Sequence, residues 1–214
     1  MPTNPLDVLP LVAIGPPPAE AAATTILLHG RGRSADEMIA LARRLDLPQM
    51  AFVAIAAADN SWYPLSFLAP IADNQPHLDW ALERVATVIA SLGMPRERVA
   101  LFGFSQGACL ACELVLRSPT RFGALAILTG GWIGPLGSAR EPWGTLAGTP
   151  MLMEIAESDA WVPLSRARET EALFRRLGAV VDFRTRPGSE HVVTEAALAA
   201  VRELLLPLAL TAPQ

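Results

Sequence analysis

Residues 101–108 read LFGFSQGA, and Gly103-Phe104-Ser105-Gln106-Gly107 within them matches the pattern G-x-S-x-G. The apolar residues before Ser105 predict a strand, and the residues after it predict a helix to about residue 117. A turn from strand to helix strains the serine backbone and crowds the positions two before and two after it, where glycine has no Cβ to clash. A serine that caps a helix is the alternative, but this context favours a nucleophile raised above a sheet.

The chain on both sides of this stretch alternates short apolar runs with amphipathic segments. Ser34 and Glu37 form a capping box at the start of one predicted helix. Strands are predicted at 24–29, 50–57, 98–104, 124–129, 150–156 and 179–186, and helices at 34–45, 76–93, 105–117, 163–177 and 192–205. Residues 11–14 predict an edge strand that ends before three prolines. This order predicts a single α/β domain over residues 1–214, with its core at about 22–206 and a mostly parallel central sheet between helices.

Composition excludes several classes of function. The net charge of −4 and the pI of about 5.4 argue against a face for nucleic acid. No apolar run reaches the roughly 18 residues of a membrane helix, and the first residues lack a secretory pattern, so we expect a cytoplasmic protein without stable membrane insertion. Cys109 and Cys112 have C-x-x-C spacing but lack the second pair of a zinc site, which predicts two small buried residues and no metal.

A serine nucleophile needs a general base, which an acid must orient. With the acid and base expected after the serine in the chain, His191 is the candidate base, because His29 and His77 precede Ser105. Asp159 follows the predicted strand 150–156 and is the favoured acid. Glu157 beside it and Asp182 within the next predicted strand are the alternatives.

The oxyanion of an acyl-transfer reaction needs hydrogen-bond donors. The backbone N–H of Gln106, directly after the serine, is one candidate. The other is the backbone N–H of Arg31, in the glycine-rich turn His29-Gly30-Arg31-Gly32 after the first core strand. A turn that binds phosphate through the arginine is the alternative reading of the same residues.

Five motifs in this order resemble the phospholipase/carboxylesterase family of α/β-hydrolases, which includes the acyl-protein thioesterases. They are Leu27-Leu28-His29-Gly30-Arg31-Gly32, Trp62-Tyr63-Pro64, Gly103-Phe104-Ser105-Gln106-Gly107-Ala108, Asp159 with Val162-Pro163, and His191. The resemblance covers about residues 22–205. It implies the triad Ser105, Asp159 and His191, with Arg31 and Gln106 as oxyanion donors, and it implies neither a metal nor an organic cofactor.

The resulting hypothesis is a serine carboxylesterase for short-to-medium acyl esters, with a small-molecule ester as its partner. Aromatic residues in predicted loops are candidates for the wall of an acyl pocket: Trp62, Tyr63, Phe67, Trp132, Trp143 and Trp161. The arginine side chains at 31 and 33 could bind an anionic part of a substrate or simply be solvated. An acyl-protein thioesterase, a lysophospholipase, an acyltransferase and a ligand-binding protein with this fold stay open alternatives, as does a homodimer.

Overall fold

The computed structural model describes residues 4–141 and 143–211, and in this part of the chain seven strands form one sheet. The strands are β1 (Leu11–Ile14), β2 (Ala23–Leu28), β3 (Met50–Ile55), β4 (Val99–Phe104), β5 (Ala124–Leu128), β6 (Pro150–Ala156) and β7 (Val180–Arg186). Their order across the sheet is β1-β3-β2-β4-β5-β6-β7. Strands β2 to β7 pair in parallel, and β1 pairs antiparallel with β3 at one edge.

Helices cover both faces of this sheet. Over the same described residues they are α1 (Ala35–Arg44), α2 (His77–Ser91), α3 (Gln106–Arg117), α4 (Leu164–Arg176) and α5 (Glu195–Ala209). Helices α1 and α5 contribute to one apolar core, and α2, α3 and α4 contribute to the other. Alternate residues of the strands enter the two cores, because successive side chains of a strand point to opposite faces. The predicted α/β fold class is confirmed.

The last helix differs from its predicted bounds at both ends. It begins at Glu195 because the Thr194 side chain caps it, accepting the Ala197 N–H at 3.0 Å. It continues through Pro207 to Ala209, so the predicted end at residue 205 is wrong. Leu205 and Ala209 are buried in the core, and this packing holds the final turn despite the proline. None of the helices described is both long and apolar enough to cross a membrane.

Candidate active site

Ser105 lies at the turn between β4 and α3, with φ 54° and ψ −118°. Its N–H donates to the carbonyl of Leu128 on the neighbouring strand at 3.0 Å. A Cβ on Gly107 would lie 2.2 Å from the carbonyl oxygen of Leu28, and one on Gly103 would lie 2.6 Å from that of Gly107. The two glycines therefore allow α3 to pack against β2 and β4 while the turn presents Ser105.

Ser105, His191 and Asp159 form a hydrogen-bonded chain. His191 Nε2 lies 2.7 Å from Ser105 Oγ, and His191 Nδ1 lies 2.8 Å from Asp159 Oδ2. The second carboxylate oxygen of Asp159 accepts the N–H groups of Trp161 and Val162, each at 2.9 Å. A proton on Nδ1 is held by the carboxylate, which leaves Nε2 free to accept the serine proton. This arrangement is capable of nucleophilic acyl transfer.

The two alternative acids have other partners. Glu157 Oε1 accepts the Thr185 hydroxyl at 3.4 Å. Asp182 pairs with Arg184 at 2.7 Å, and both of these side chains are exposed. Of the three acids considered from the sequence, Asp159 is the one in contact with His191.

The loops that carry Asp159 and His191 are bound to each other by their backbones. The Glu157 N–H donates to the Arg186 carbonyl at 2.9 Å, and the Ser158 N–H donates to the Gly188 carbonyl at 3.1 Å. Because β6 and β7 pair in parallel up to Ala156 and Arg186, these contacts continue the sheet into the loops. The pairing fixes the loop of the acid relative to the loop of the base.

Arg186 adds an ionic contact beneath the histidine loop. Its Nε lies 3.0 Å from Glu154 Oε1, and its Nη2 donates to the carbonyl of Glu190, the residue before His191. Burial raises the pKa of Glu154, and the charge of Arg186 partly opposes that rise. Sequence reasoning missed this pair, since its members lie on different strands and no motif links them.

The two predicted oxyanion donors belong to two segments that adjoin the serine. A Cβ on Gly30 would lie 3.2 Å from Ser105 Cβ, so the turn that contains Arg31 passes directly against the nucleophile. Gln106 follows the serine at the start of α3. Within residues 4–141 and 143–211, neither the Arg31 N–H nor the Gln106 N–H donates to a protein acceptor. Both residues line the cavity next to Ser105.

The side chains of the same two residues bind the loop at residues 62–65. Arg31 donates to the backbone carbonyls of residues 63–65, at distances of 2.9, 2.8 and 2.6 Å. Gln106 Oε1 accepts the Trp62 N–H at 3.0 Å, and Gln106 Nε2 donates to the Tyr63 carbonyl at 2.8 Å. The guanidinium of Arg31 is thus fixed by the protein itself.

His29 is a buried structural residue. Its Nε2 accepts the Ala57 N–H at 3.1 Å, which places the ring proton on Nδ1, 2.8 Å from the Gly30 carbonyl. Burial lowers the pKa of His29. The His29 carbonyl accepts the indole N–H of Trp62 at 2.8 Å. The neutral imidazole therefore holds the glycine-rich turn in place.

A cavity of about 590 Å³ opens beside Ser105 and His191. Its apolar walls include Tyr63, Leu65, Phe67, Phe104, Trp161 and Val162. A cavity of this size is in the range of small-molecule sites. Trp161 is 72% exposed and Leu65 is 46% exposed, so part of the apolar wall faces solvent.

The aromatic residues proposed as pocket walls divide into two groups. Tyr63, Phe67 and Trp161 line the cavity. Three others, Trp62, Trp132 and Trp143, are not among its lining residues. Trp62 is buried with its indole N–H on the His29 carbonyl, and Trp132 is buried with the Arg166 guanidinium 3.7 Å above its ring. Trp143 is exposed elsewhere on the surface. The sequence alone does not show whether a tryptophan in a loop lines the cavity, packs in the core or lies on the surface.

A family model and one solved structure agree on the family, and further solved structures share the fold. A family model described as phospholipase/carboxylesterase matches residues 10–207. A phospholipase/carboxylesterase from Dyadobacter fermentans DSM 18053 is 35% identical, with 92% of this chain and 96% of that chain covered and a TM-score of 0.87. A carboxylesterase from Mesorhizobium loti is 22% identical, with 92% and 94% covered and a TM-score of 0.70. The Bacillus cereus carboxylesterase is 14% identical, with 94% and 95% covered and a TM-score of 0.75. The last two comparisons support the fold alone.

Proposed function

This chain belongs to the phospholipase/carboxylesterase family, and from that membership we propose that it is a serine carboxylesterase for short-to-medium acyl esters. The observation that carries the proposal is the 2.7 Å distance between Ser105 Oγ and His191 Nε2. The contact of Asp159 with the other ring nitrogen supports it, because a base in this role needs an orienting acid.

In the proposed reaction, His191 takes the Ser105 proton as the hydroxyl attacks the ester carbonyl. The backbone N–H groups of Arg31 and Gln106 stabilise the oxyanion. His191 then protonates the departing alcohol, and an acyl-enzyme forms on Ser105. Water attacks this ester by the same route and releases the acid. Loss of one oxyanion donor typically lowers the rate by about 10²–10³.

The cavity volume of about 590 Å³ and its apolar walls support an acyl chain of short-to-medium length. Acyl-protein thioesterase and lysophospholipase activities would use the same acyl-enzyme with a different leaving group. Acyl-CoA thioesters and lysophosphatidylcholine therefore belong in the assay beside simple esters. A preference for either of these two substrates would change the proposed substrate but not the proposed nucleophile.

The direct test compares the wild type with Ser105→Ala on p-nitrophenyl esters from acetate to palmitate. A fluorophosphonate label, located by mass spectrometry, identifies the reactive serine. We expect turnover and a label on Ser105 in the wild type, and neither in the variant. Ser91→Ala, on helix α2, is the matched control and should keep both.

Thermal unfolding of each variant shows that a loss of activity is not a loss of fold. A folded wild type with neither turnover nor label would overturn the proposal. The ligand-binding alternative would then lead, and it predicts stabilisation by ester analogues without catalysis. A label on a serine other than Ser105 would also contradict the assignment.

A further inference from the structure

The cavity beside Ser105 is lined by fixed charges of one sign. Of the described residues, those with fixed charge that line it are Arg31 and Arg33, and no aspartate or glutamate does so. The whole chain has a net charge of −4. A positive cavity in an acidic protein is a local feature and does not follow from overall composition. Clefts lined by one sign of charge concentrate ligands of the opposite sign.

The positive charge of Arg31 is not neutralised by an acid. Its guanidinium donates to the carbonyls of residues 63–65 and lies 6.0 Å from the centre of the Tyr63 ring. No carboxylate in the described part of the chain lies within ion-pair distance of it. The carbonyls fix its place in the cavity wall and partly compensate its charge, while no carboxylate forms an ion pair with it.

Arg33 makes one weak ion pair, with Glu37, which is also bound to the backbone of Ser34. Its Nη1 lies 3.6 Å from Glu37 Oε1, and the Arg33 side chain is 54% exposed. The other carboxylate oxygen of Glu37 accepts the Ser34 N–H in the capping box of α1. Exposed ion pairs of this kind contribute little, so Arg33 can exchange Glu37 for an anion at the cavity.

Apolar surface adjoins these charges. Leu65 and Trp161 line the same cavity and are exposed to solvent. A ligand that covers them removes apolar area from water, while an anionic end of the same ligand lies near the arginines. The cavity thus combines the two surfaces that an amphiphilic anion requires.

We propose that the preferred substrates are esters that carry a carboxylate on an apolar acyl or alcohol segment, and that Arg33 binds that carboxylate. This inference rests on the proposed esterase function. It adds a charge requirement to the substrate and names Arg33 as the residue that sets it.

The test uses two pairs of esters that differ in charge. Monomethyl adipate against methyl hexanoate places the carboxylate on the acyl side, and 4-acetoxybutanoate against butyl acetate places it on the alcohol side. The measured quantity is the ratio of kcat/KM for the anionic ester to kcat/KM for the neutral one. We expect this ratio to exceed one in at least one pair and to fall as ionic strength rises.

Three variants assign the effect to Arg33. Arg33→Gln should lower the ratio about two- to threefold, within the range for one exposed ion pair. Arg33→Lys, which retains the charge, should recover most of it. Arg43→Gln removes an exposed arginine on α1 outside the cavity and should leave the ratio unchanged.

The outcomes separate this inference from the function on which it rests. Hydrolysis of the neutral esters with a ratio that Arg33→Gln does not change overturns the charge requirement and leaves the esterase in place. Absence of hydrolysis in both pairs, together with an unlabelled Ser105, overturns the esterase itself.

Discussion

Ser105 occupies a backbone conformation with positive φ that non-glycine residues rarely adopt, at a cost of about 1–3 kcal/mol. The surrounding chain holds it there through the Leu128 hydrogen bond and the close packing at Gly103 and Gly107. The backbone of Ser105 is therefore held rigidly, although the residue lies in a turn. Its hydroxyl is fixed relative to His191 before any ligand arrives.

Replacing Gly107 by alanine tests this packing. The new Cβ would lie 2.2 Å from the Leu28 carbonyl oxygen, so α3 must move away from β2. We expect a loss of more than 3 kcal/mol in the free energy of unfolding, as for severe overpacking, and a loss of turnover. Urea unfolding and an ester assay measure the two effects.

Gly93→Ala is the control for that change. Gly93, unlike Gly107, has positive φ, and nothing lies within 4 Å of a Cβ built there. The expected cost is about 1 kcal/mol, from backbone conformation alone. Equal costs at the two glycines would contradict the steric account of Gly107.

His29 should make stability depend on pH. Burial lowers its pKa below the usual 6.5, so the unfolded chain binds a proton that the folded protein resists. The free energy of unfolding should therefore fall as the pH drops below 6.5. Urea unfolding at several pH values should show a shallower dependence in His29→Asn than in the wild type. Parallel curves would mean that His29 is not a source of this dependence.

At the scale of elements, the ends of β6 and β7 place the base. Arg186 pairs with Glu154 of β6 and also donates a hydrogen bond to the carbonyl of Glu190, the residue before His191. We expect Arg186→Ala to lower kcat about tenfold while KM stays within twofold, because the loop then holds His191 less well. A charged hydrogen bond of this kind contributes about 1.5–3 kcal/mol, enough for such an effect.

Two further variants separate positioning from general destabilisation. Arg186→Lys keeps the charge and should restore part of kcat. Arg184→Ala removes an exposed arginine of the same strand and should leave kcat unchanged. An Arg186→Ala enzyme with normal kcat but a lower Tm would show that the pair serves stability alone.

The sequence predicted elements better than it predicted their ends and contacts. Strand β1 and the capping box at Ser34 follow from local patterns, and the structure has both. The end of α5 does not, because tertiary packing at Leu205 and Ala209 outweighs the local effect of Pro207. The Glu154–Arg186 pair likewise depends on sheet register, which no local pattern encodes.

At the scale of the whole molecule, the parallel sheet brings together residues that are far apart in the chain. Arg31, Ser105, Asp159 and His191 each follow a different strand, β2, β4, β6 and β7. Parallel strands end at the same edge of a sheet, which is why residues placed just after these predicted strands could be proposed as one site. The cavity wall was less predictable, because the sequence does not distinguish an aromatic loop residue that packs in the core from one that lines a pocket.

The buried cysteines of α3, Cys112 above all, offer a measure of global unfolding. Cys109 and Cys112 are buried on α3 between the sheet and its neighbours. Burial raises the pKa of the Cys109 thiol to about 12 and that of Cys112 well above its usual value. Cys109 lines the cavity beside Ser105 and Cys112 does not, so we expect a thiol reagent such as DTNB to label Cys112 only at the rate of unfolding. Fast labelling of Cys112 in the native protein would contradict this burial.

The contact of Arg31 with residues 63–65 has a consequence for how this site can change. The guanidinium binds backbone carbonyls, which every amino acid supplies. The exposed side chain of Leu65 can therefore be exchanged without removing a single one of these bonds. This part of the cavity wall is free to vary while the turn beside the nucleophile stays anchored. Libraries that randomise Leu65 should accordingly yield altered acyl preferences far more often than inactive proteins.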